Sequence, residues 1–457
     1  MAVEGVRYLA PLAWIDGAWA RDVLLAVGGD GHWSSVTPDA PAASRQGAQP
    51  LDGPVLPGLV NAHSHAFQRA IAGLTESSGA GEDDFWRWRD RMYGAANRIT
   101  PAQLEAIAAY LYAELLDAGY TEVCEFHYLH NGVDGKPFAA PAEMSLALAR
   151  AAQRVGIGLT LLPTLYMRSG FGASGLRPDQ QRFASTPESV LRIGEGIDAL
   201  GDPLLHAGVA LHSLRAVDEA ALEGVAAAAR GRMPVHIHIA EQQQEVEDCI
   251  ARHGRPPVEW LLDRVTLDTS WNLVHATQAT SAELAGVQGT GASIVICPST
   301  EANLGDGVFD LPDWLARQGS WSIGSDSHVT RCWQEELRLV EYSQRFALRR
   351  RNIAARSGGR ESTAAVLFDG ALAGGSAAAG RALGGLRAGE RADFMVVDRD
   401  APALPGVPDA QLLDALVFST PHAAMRRVYV AGRAVCPLRD QPDLTQAMRV
   451  AMQALWQ

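Results

Sequence analysis

The chain has 457 residues, a formal net charge of −13 at pH 7 and 47% hydrophobic residues. This length allows about three domains, or one large barrel with an appendage. The acidic balance excludes nucleic acid and anionic membrane surfaces as expected partners, because both bind clustered positive charge. Gly, Arg, Asp or Glu interrupts each apolar stretch before it reaches membrane-spanning length, so we expect a soluble protein.

The termini and the cysteines bear on the compartment and on metal chemistry. The N-terminal stretch lacks a basic start followed by an apolar run and a small-residue cleavage site, which makes the cytoplasm the expected location. The five cysteines are scattered and odd in number, which argues against a disulfide framework and against a thiolate zinc site. Any metal ion is therefore expected to bind to His and carboxylate side chains.

Short apolar runs alternate with helix-like runs along most of the chain, as expected for a parallel sheet with crossover helices. The strand-like runs are Val55 to Ala62, Tyr120 to Phe126, Ile157 to Leu165, His206 to Leu211, Val235 to Ile239, Trp271 to Val274, Ser293 to Cys297, and Trp321 to Gly324. The helix-like runs include Pro101 to Ala118, Pro141 to Val155, Pro187 to Ala199, Asp218 to Arg230 and Gln242 to His253. Eight strand-like units favour an α/β fold of the (β/α)8 TIM-like barrel type.

The two ends of the chain lack this alternation but contain short strand-like pieces, such as those over residues 23–27, 393–397 and 427–433. We expect them to form one small β-sandwich domain. Residues 1–56 would supply its first part, and residues 373–457 its second part and a terminal helix. The barrel would occupy residues 57–372. The Gly- and Ala-rich stretch 370–385 predicts a buried helix with flanking turns rather than a phosphate loop.

The tripeptide His63-Ser64-His65 directly follows the first barrel strand. Side chains two residues apart in an extended segment share one face, so both imidazoles can point at one ion. Imidazole pairs suit zinc or iron. Such a pair also arises by chance, so the interpretation depends on its partners.

Other chemically useful side chains fall where barrel enzymes place their sites, at the carboxyl ends of strands. Besides the His pair, these are Tyr128, His212, Arg215, His238, Glu241, His275 and Asp326. Each alone could be a hydrogen-bonded core or loop side chain. Together they predict one site.

A His-x-His pair, later His residues and a final Asp at barrel strand ends resemble the amidohydrolase superfamily. The stretches Pro57 to His65 and Gly389 to Asp393 are similar to its barrel entry and returning β segment. The resemblance implies that His63, His65, His238 and Asp326 bind one divalent metal ion, with Zn²⁺ as the first choice. His236 is expected to be a buried, hydrogen-bonded support. A second metal is disfavoured because Lys136, far from any strand end, is the only lysine that could be carbamylated, and Glu125 is an unfavourable bridging ligand.

Within this superfamily, the segments His63 to Arg69, Phe85 to Arg89, Glu125 to His130, Cys297 to Gly307 and Gly324 to His328 resemble the enzymes that deiminate N-formimino-L-glutamate. That resemblance implies hydrolysis to N-formyl-L-glutamate and ammonia in histidine degradation, by attack of hydroxide on the amidine carbon. It implies that Glu241, His275 and Asp326 are catalytic. It also implies that Gln68, Tyr128, His212 and Arg215 bind a small substrate with carboxylates, since guanidinium holds carboxylate bidentately.

Two alternatives stay open at this point. A mononuclear-zinc deaminase of guanine, cytosine or an adenosine derivative would keep the same ligands and Glu241 but would need groups that stack on a ring. A non-catalytic metal-binding protein would lack the proton shuttle. Trp86, Trp88 and Tyr93 could form a lid, a subunit contact or ordinary packing. A homodimer is expected from the resemblance.

Overall fold

The computed structural model describes residues 5–76, 85–421 and 424–456, with the side chains of residues 85–87 excepted. The strands are β1 (Arg7–Ile15), β2 (Ala18–Val27), β3 (Trp33–Thr37), β4 (Gln49–Pro50), β5 (Val55–Pro57), β6 (Leu59–Ser64), β7 (Tyr120–His127), β8 (Gly158–Leu165), β9 (Leu205–Ala207), β10 (Val209–Ser213), β11 (Val235–Ile239), β12 (Trp271–His275), β13 (Ser293–Ile296), β14 (Trp321–Ile323), β15 (Phe394–Val397), β16 (Met425–Val430) and β17 (Arg433–Ala434).

The helices are α1 (Phe85–Ala96), α2 (Pro101–Ala118), α3 (Glu143–Val155), α4 (Pro187–Asp198), α5 (Glu219–Ala229), α6 (Gln243–His253), α7 (Pro257–Arg264), α8 (Ser281–Thr290), α9 (Pro298–Leu304), α10 (Leu311–Ala316), α11 (Trp333–Leu348), α12 (Ile353–Ser357), α13 (Thr363–Ala379), α14 (Leu412–Phe418) and α15 (Pro442–Trp456). Short 3-10 turns cover Ala42–Arg45, Ala66–Ala70, Pro178–Phe183, Asp409–Gln411 and Leu438–Asp440. Among the described residues, no helix is both long and apolar enough to cross a bilayer.

The central sheet is a barrel of parallel strands. Its hydrogen-bonded order is β14-β13-β12-β11-β10-β8-β7-β6, with the short β9 paired to β8. A bridge between Ser64 and Asp326 joins the last strand's end to the first and closes the ring. The predicted (β/α)8 barrel is therefore confirmed, and the carboxyl ends of its strands converge at one face.

Both chain ends form a second sheet, in the order β17-β16-β15-β5-β1-β2-β3, with β4 paired to β1. The two halves of this sheet enclose one apolar core. Tyr8 from the N-terminal half lies with its ring centroid 5.4 Å from both Phe394 and Tyr429 of the C-terminal half. The predicted β domain built from both ends is confirmed, while its boundaries at residues 57 and 372 remain a prediction.

Local sequence explains where several helices begin. Thr100 and Gln103 form a reciprocal capping box ahead of Pro101 at the start of α2, and Gly119 ends that helix with φ +104°. Thr280 and Glu283 cap α8 in the same way. These caps satisfy backbone groups that a helix leaves without partners, so the crossover helices start and stop at fixed places around the barrel. The Gly- and Ala-rich helix α13 is largely buried, as predicted.

The barrel joins the β domain through a glycine and a buried ion cluster. The run Val55 to Ala62 is divided at Gly58, whose N–H donates to the Asp393 carbonyl. A Cβ at Gly58 would lie 2.4 Å from Thr121 Oγ1, so the close approach requires glycine. Nearby, the buried Arg391 donates to Glu122 at 2.8 Å and to Asp393 at 2.6 Å.

Candidate active site

Three imidazoles meet at the carboxyl end of the barrel. His63 and His65 come from the end of β6 and His238 from β11, and all three are buried. The Nε2 atom of His63 lies 3.1 Å from Nε2 of His65 and 3.0 Å from Nε2 of His238. The alternation predicted for the first strand therefore places both of its His side chains at one point, where His238 joins them.

The hydrogen bonds of these rings make them suitable metal ligands. Nδ1 of His65 lies 2.8 Å from the Phe126 carbonyl, and Nδ1 of His238 lies 2.9 Å from the His212 carbonyl. Because a carbonyl only accepts, each Nδ1 carries the proton and each Nε2 exposes a lone pair. Burial lowers the pKa of His65 to about 3 and also lowers the pKa of His63 and His238, which keeps the rings neutral. Lone pairs crowded at one point repel one another, and a divalent cation there would satisfy them.

Asp326 brings a carboxylate to the same point. Its Oδ1 lies 3.3 Å from Nε2 of His65 and 3.6 Å from Nε2 of His63. Its N–H donates to the His63 carbonyl, and its φ of +47° is in the left-handed region that non-glycine residues rarely adopt. The backbone at the end of β14 is thus held in an uncommon conformation that aims the carboxylate at the three imidazoles.

Glu241 and His275 lie beside this cluster. Nε2 of His275 is 3.7 Å from Glu241 Oε1 and 3.8 Å from Asp326 Oδ2, while its Nδ1 is 3.2 Å from Glu301 Oε1. Burial lowers the pKa of His275, but the carboxylates of Glu241, Glu301 and Asp326 outweigh burial and raise it to about 10. The structure therefore brings together the three residues predicted to be catalytic.

The four residues predicted to bind substrate line the same cleft as the His cluster. Gln68 Nε2 donates to the Tyr128 hydroxyl at 3.2 Å, and the Tyr128 and His212 rings lie 5.3 Å apart. Arg215 is near two carboxylates: burial alone would lower its pKa, but Glu245 and Glu241 raise it. These four residues thus give the cleft three hydrogen-bonding groups and one guanidinium group.

Among the described residues, six more line this cleft and were not predicted as site residues: Trp88, Arg89, Met92, Tyr93, Tyr166 and Leu304. Tyr166 directly follows β8, as Tyr128 follows β7, so the strand-end rule could have found it. Trp88 and Arg89 lie on α1, within a segment that carried the resemblance. The side chain of Trp86 lies outside the described residues, so its role stays a prediction, whereas Trp88 and Tyr93 are placed at the cleft.

Two buried residues near the site have other partners. Glu125 accepts hydrogen bonds from Ser64 Oγ at 2.6 Å and from the Ala66 N–H at 2.6 Å, and it also contacts Tyr112. It thereby holds the start of the turn that follows the His pair. His236 lies one pleat deeper than His238, with Nε2 2.9 Å from the Ala378 carbonyl. A buried, hydrogen-bonded support is what the sequence predicted for His236, whereas Glu125 was predicted only to be an unfavourable bridging ligand.

The chain belongs to the amidohydrolase family, whose model matches residues 55–435. Among individual relatives, formimidoylglutamate deiminase of Pseudomonas aeruginosa is 47% identical over 428 residues, which cover 93% of each chain. The 5-methylthioadenosine/S-adenosylhomocysteine deaminase of Halobacterium salinarum is 28% identical and covers 78% of this chain and 75% of that protein. The sequence-based resemblance is confirmed.

Solved structures agree with this assignment. An amidohydrolase from Brucella melitensis superposes with a TM-score of 0.92 at 40% identity, covering 99% of this chain and 100% of that one. An adenosine deaminase from Xanthomonas campestris with bound zinc superposes with a TM-score of 0.79 at 23% identity and covers 98% of both chains. The second likeness concerns the fold alone.

Proposed function

We propose that this protein hydrolyses N-formimino-L-glutamate to N-formyl-L-glutamate and ammonia. Its similarity to a formimidoylglutamate deiminase over nearly the full length of both chains supports this function. The main observation behind the proposal is that one cleft contains both a His and Asp cluster and two guanidinium groups. The His and Asp cluster suits metal-dependent hydrolysis, and the two guanidinium groups suit a substrate with two carboxylates.

We propose that His63, His65, His238 and Asp326 hold one zinc ion. Three neutral nitrogens and one carboxylate oxygen form a donor set that zinc accepts. When bound, the ion lowers the pKa of a coordinated water from 15.7 to about 7 and so supplies a nucleophile at neutral pH. Glu125, the nearby acidic residue considered as a bridge, is engaged by Ser64 and Ala66, which favours a single ion.

The reaction requires proton transfer as well as attack. Oxygen from water bonds to the amidine carbon, the bond from that carbon to its terminal nitrogen breaks, and this nitrogen leaves as ammonia. Glu241 would take a proton from the attacking water and deliver it to the departing nitrogen. It is buried, reaches to within 3.7 Å of His275, and lines the cleft together with His238 and Asp326.

His275 would orient the attacking water through Nε2. This nitrogen faces both Glu241 and Asp326, and the backbone φ of +72° turns the ring toward the cleft. A fixed hydrogen-bonding group at this position holds the water in place without rearranging during the reaction. Asp326 would assist by accepting a proton from the water.

Two arginines match the two carboxylates of the glutamyl portion. Arg215 and Arg89 both line the cleft, and burial followed by the charge of Arg215 lowers the pKa of Arg89. Two guanidinium cations in one cleft repel each other, and an anionic ligand would offset the free energy of that repulsion. Gln68, Tyr128 and His212 would supply neutral hydrogen bonds to the same part of the substrate.

The two alternatives fit less well. A neutral purine or pyrimidine has no carboxylate for Arg89 and Arg215 to bind. A non-catalytic metal-binding protein would not require Glu241 in the cleft. The homodimer and the cytoplasmic location remain predictions, and size-exclusion chromatography with light scattering tests the first.

Ammonia release by zinc-loaded protein tests the proposed function. N-formimino-L-glutamate, guanine, cytosine and adenosine serve as parallel substrates, with N-formyl-L-glutamate identified by mass spectrometry. We expect release from the first compound alone. Release from a heterocycle alone would replace the proposed substrate, and no release from any of them would contradict the proposed function.

A further inference from the structure

Glu301 is buried behind His275, outside the set of residues discussed so far as catalytic or ligand-binding. It lies in the first turn of α9 and is 4% exposed. Its Oε1 accepts from the Cys297 N–H at 2.9 Å and contacts His275 Nδ1 at 3.2 Å. One oxygen atom thus links the start of a helix to the side of His275 that faces away from Glu241.

The His275 ring is held by a stacked ring on one face and by contacts at both of its nitrogens. Its plane lies within 14° of the His238 plane, with the ring centroids 5.5 Å apart. Its Nε2 faces Glu241 and Asp326, and its Nδ1 faces Glu301. A flip of the ring about the Cβ–Cγ bond would exchange Nδ1 with Cδ2 and Nε2 with Cε1, so the contact at Nδ1 keeps a nitrogen rather than a carbon facing the cleft.

We propose that Glu301 is a positioning residue that keeps Nδ1 of His275 protonated and Nε2 directed at the reacting atoms. This inference rests on the proposed function. An ionised carboxylate only accepts hydrogen bonds, so the Nδ1 atom that faces it is a donor whether the ring is neutral or charged. The nitrogen in the cleft is therefore Nε2, in one orientation.

A competing explanation is that Glu301 only caps α9. The chain offers a matched control for that explanation, because Glu336 is also buried and accepts from the Ser299 N–H at 3.0 Å and the Ser299 hydroxyl at 2.6 Å. Both glutamates therefore accept hydrogen bonds from backbone N–H groups at the start of α9. Of the two glutamates, Glu301 is the one that is hydrogen-bonded to Nδ1 of His275.

The test compares Glu301→Leu with Glu336→Leu. The leucine in the first variant cannot accept a hydrogen bond, so Nδ1 of His275 loses its acceptor and the ring can carry its proton on Nε2. We expect kcat to fall about 100-fold in Glu301→Leu, with KM and zinc content little changed, because a wrong tautomer impairs catalysis without removing binding groups. Glu336→Leu should keep nearly the wild-type kcat.

Side-chain ¹⁵N NMR provides a readout that is independent of turnover. His275 signals are assigned by their loss in His275→Asn, in both zinc-free and zinc-loaded protein. The wild type should show a protonated Nδ1 at His275, and Glu301→Leu should move the proton toward Nε2. Glu301→Asp retains an acceptor-only carboxylate, so it should preserve the Nδ1 proton and recover part of kcat. If Glu301→Leu folds poorly, Glu301→Met takes its place in both measurements.

The outcomes separate this inference from the proposed function. An unchanged tautomer in Glu301→Leu, or a kcat loss no larger than in Glu336→Leu, would overturn the positioning role. A wild-type protein that releases no ammonia from N-formimino-L-glutamate would overturn the proposed function, while the NMR comparison would still decide whether Glu301 sets the His275 tautomer.

Discussion

Two buried polar clusters lie at opposite ends of the barrel, and they are built on opposite principles. The lower cluster, near the amino ends of the strands, consists of Glu122, Arg391 and Asp393. Its charges are of opposite sign, and Arg391 donates to both carboxylates and to the Thr121 carbonyl. The charges of this cluster pair with one another, and these contacts join the β domain to the barrel.

The upper cluster, at the carboxyl ends, consists of His63, His65, His238 and Asp326. It places three like groups together, with Nε2 separations of 3.0 and 3.1 Å between imidazoles. Hydrogen bonds outside the cluster fix the tautomers of His65 and His238 and leave their inner nitrogens facing one another. A buried polar cluster whose charges pair with one another serves stability, whereas one whose inner nitrogens face each other is the arrangement expected of a metal site.

The largest expected effect comes from removing one member of the upper cluster. His238→Ala should lose zinc, and ammonia release should fall to the level of the metal-free protein, because two imidazoles and a carboxylate no longer enclose the ion. His236→Gln is the matched control, since His236 lies on the same strand and contacts the Ala378 carbonyl. Atomic absorption and ammonia assays measure both. Equal zinc contents in the two variants would contradict the ligand role of His238.

Removing the proton shuttle should affect turnover and spare the metal. Glu241→Gln should lower kcat by about 10²-fold to 10⁴-fold, the usual contribution of general acid–base catalysis, while zinc binding persists. Glu247→Gln, on the exposed side of α6, should change neither. Steady-state kinetics with metal analysis provide the check. A Glu241→Gln variant with wild-type kcat would assign proton transfer to another group.

The lower cluster should respond in stability rather than in chemistry. Arg391→Met should reduce the free energy of unfolding by about 3–5 kcal/mol, because it leaves two buried carboxylates without their cation. Arg426→Met, which breaks surface pairs with Asp398 and Asp400, should have a much smaller effect. Urea unfolding measures the difference. Loss of zinc in folded Arg391→Met protein would show that the two clusters are not separate in function.

The smallest expected effect concerns recognition. Arg215→Met should lower kcat/KM for N-formimino-L-glutamate by about 100-fold, since losing one buried charge partner of an anion costs a few kcal/mol. The comparison substrate is a neutral N-formimino alkylamine, whose turnover should change far less. Kinetics on both compounds measure the ratio. An equal loss on the two substrates would mean that Arg215 supports the fold of the cleft rather than the carboxylate.

Sequence patterns predicted the upper cluster because its members follow simple rules. His63 and His65 alternate at a strand end, and His238 and Asp326 follow later strands of the same kind. The eight predicted strands are present in the barrel, although Val55 to Ala62 is divided at Gly58. That division depends on the contact with Thr121 and the bond to Asp393, which lie far away in sequence.

Groups carried by helices were missed for a physical reason. Arg89 lies on α1 and Glu301 on α9, and helix periodicity alone does not reveal which face of a helix lies over the end of a barrel. The segments that contain them were noted for their resemblance but gave no role to these two residues. Tyr166, at a strand end, was within reach of the same rule that selected Tyr128.

Zinc titration of metal-free protein tests the central claim most directly, namely that the upper cluster holds one ion on which the reaction depends. Bound zinc and ammonia release from N-formimino-L-glutamate are measured at each addition. We expect bound zinc and ammonia release to rise together and to level off at one equivalent of zinc per chain. Activity that needs a second equivalent, or that is already complete before zinc binds, would contradict it.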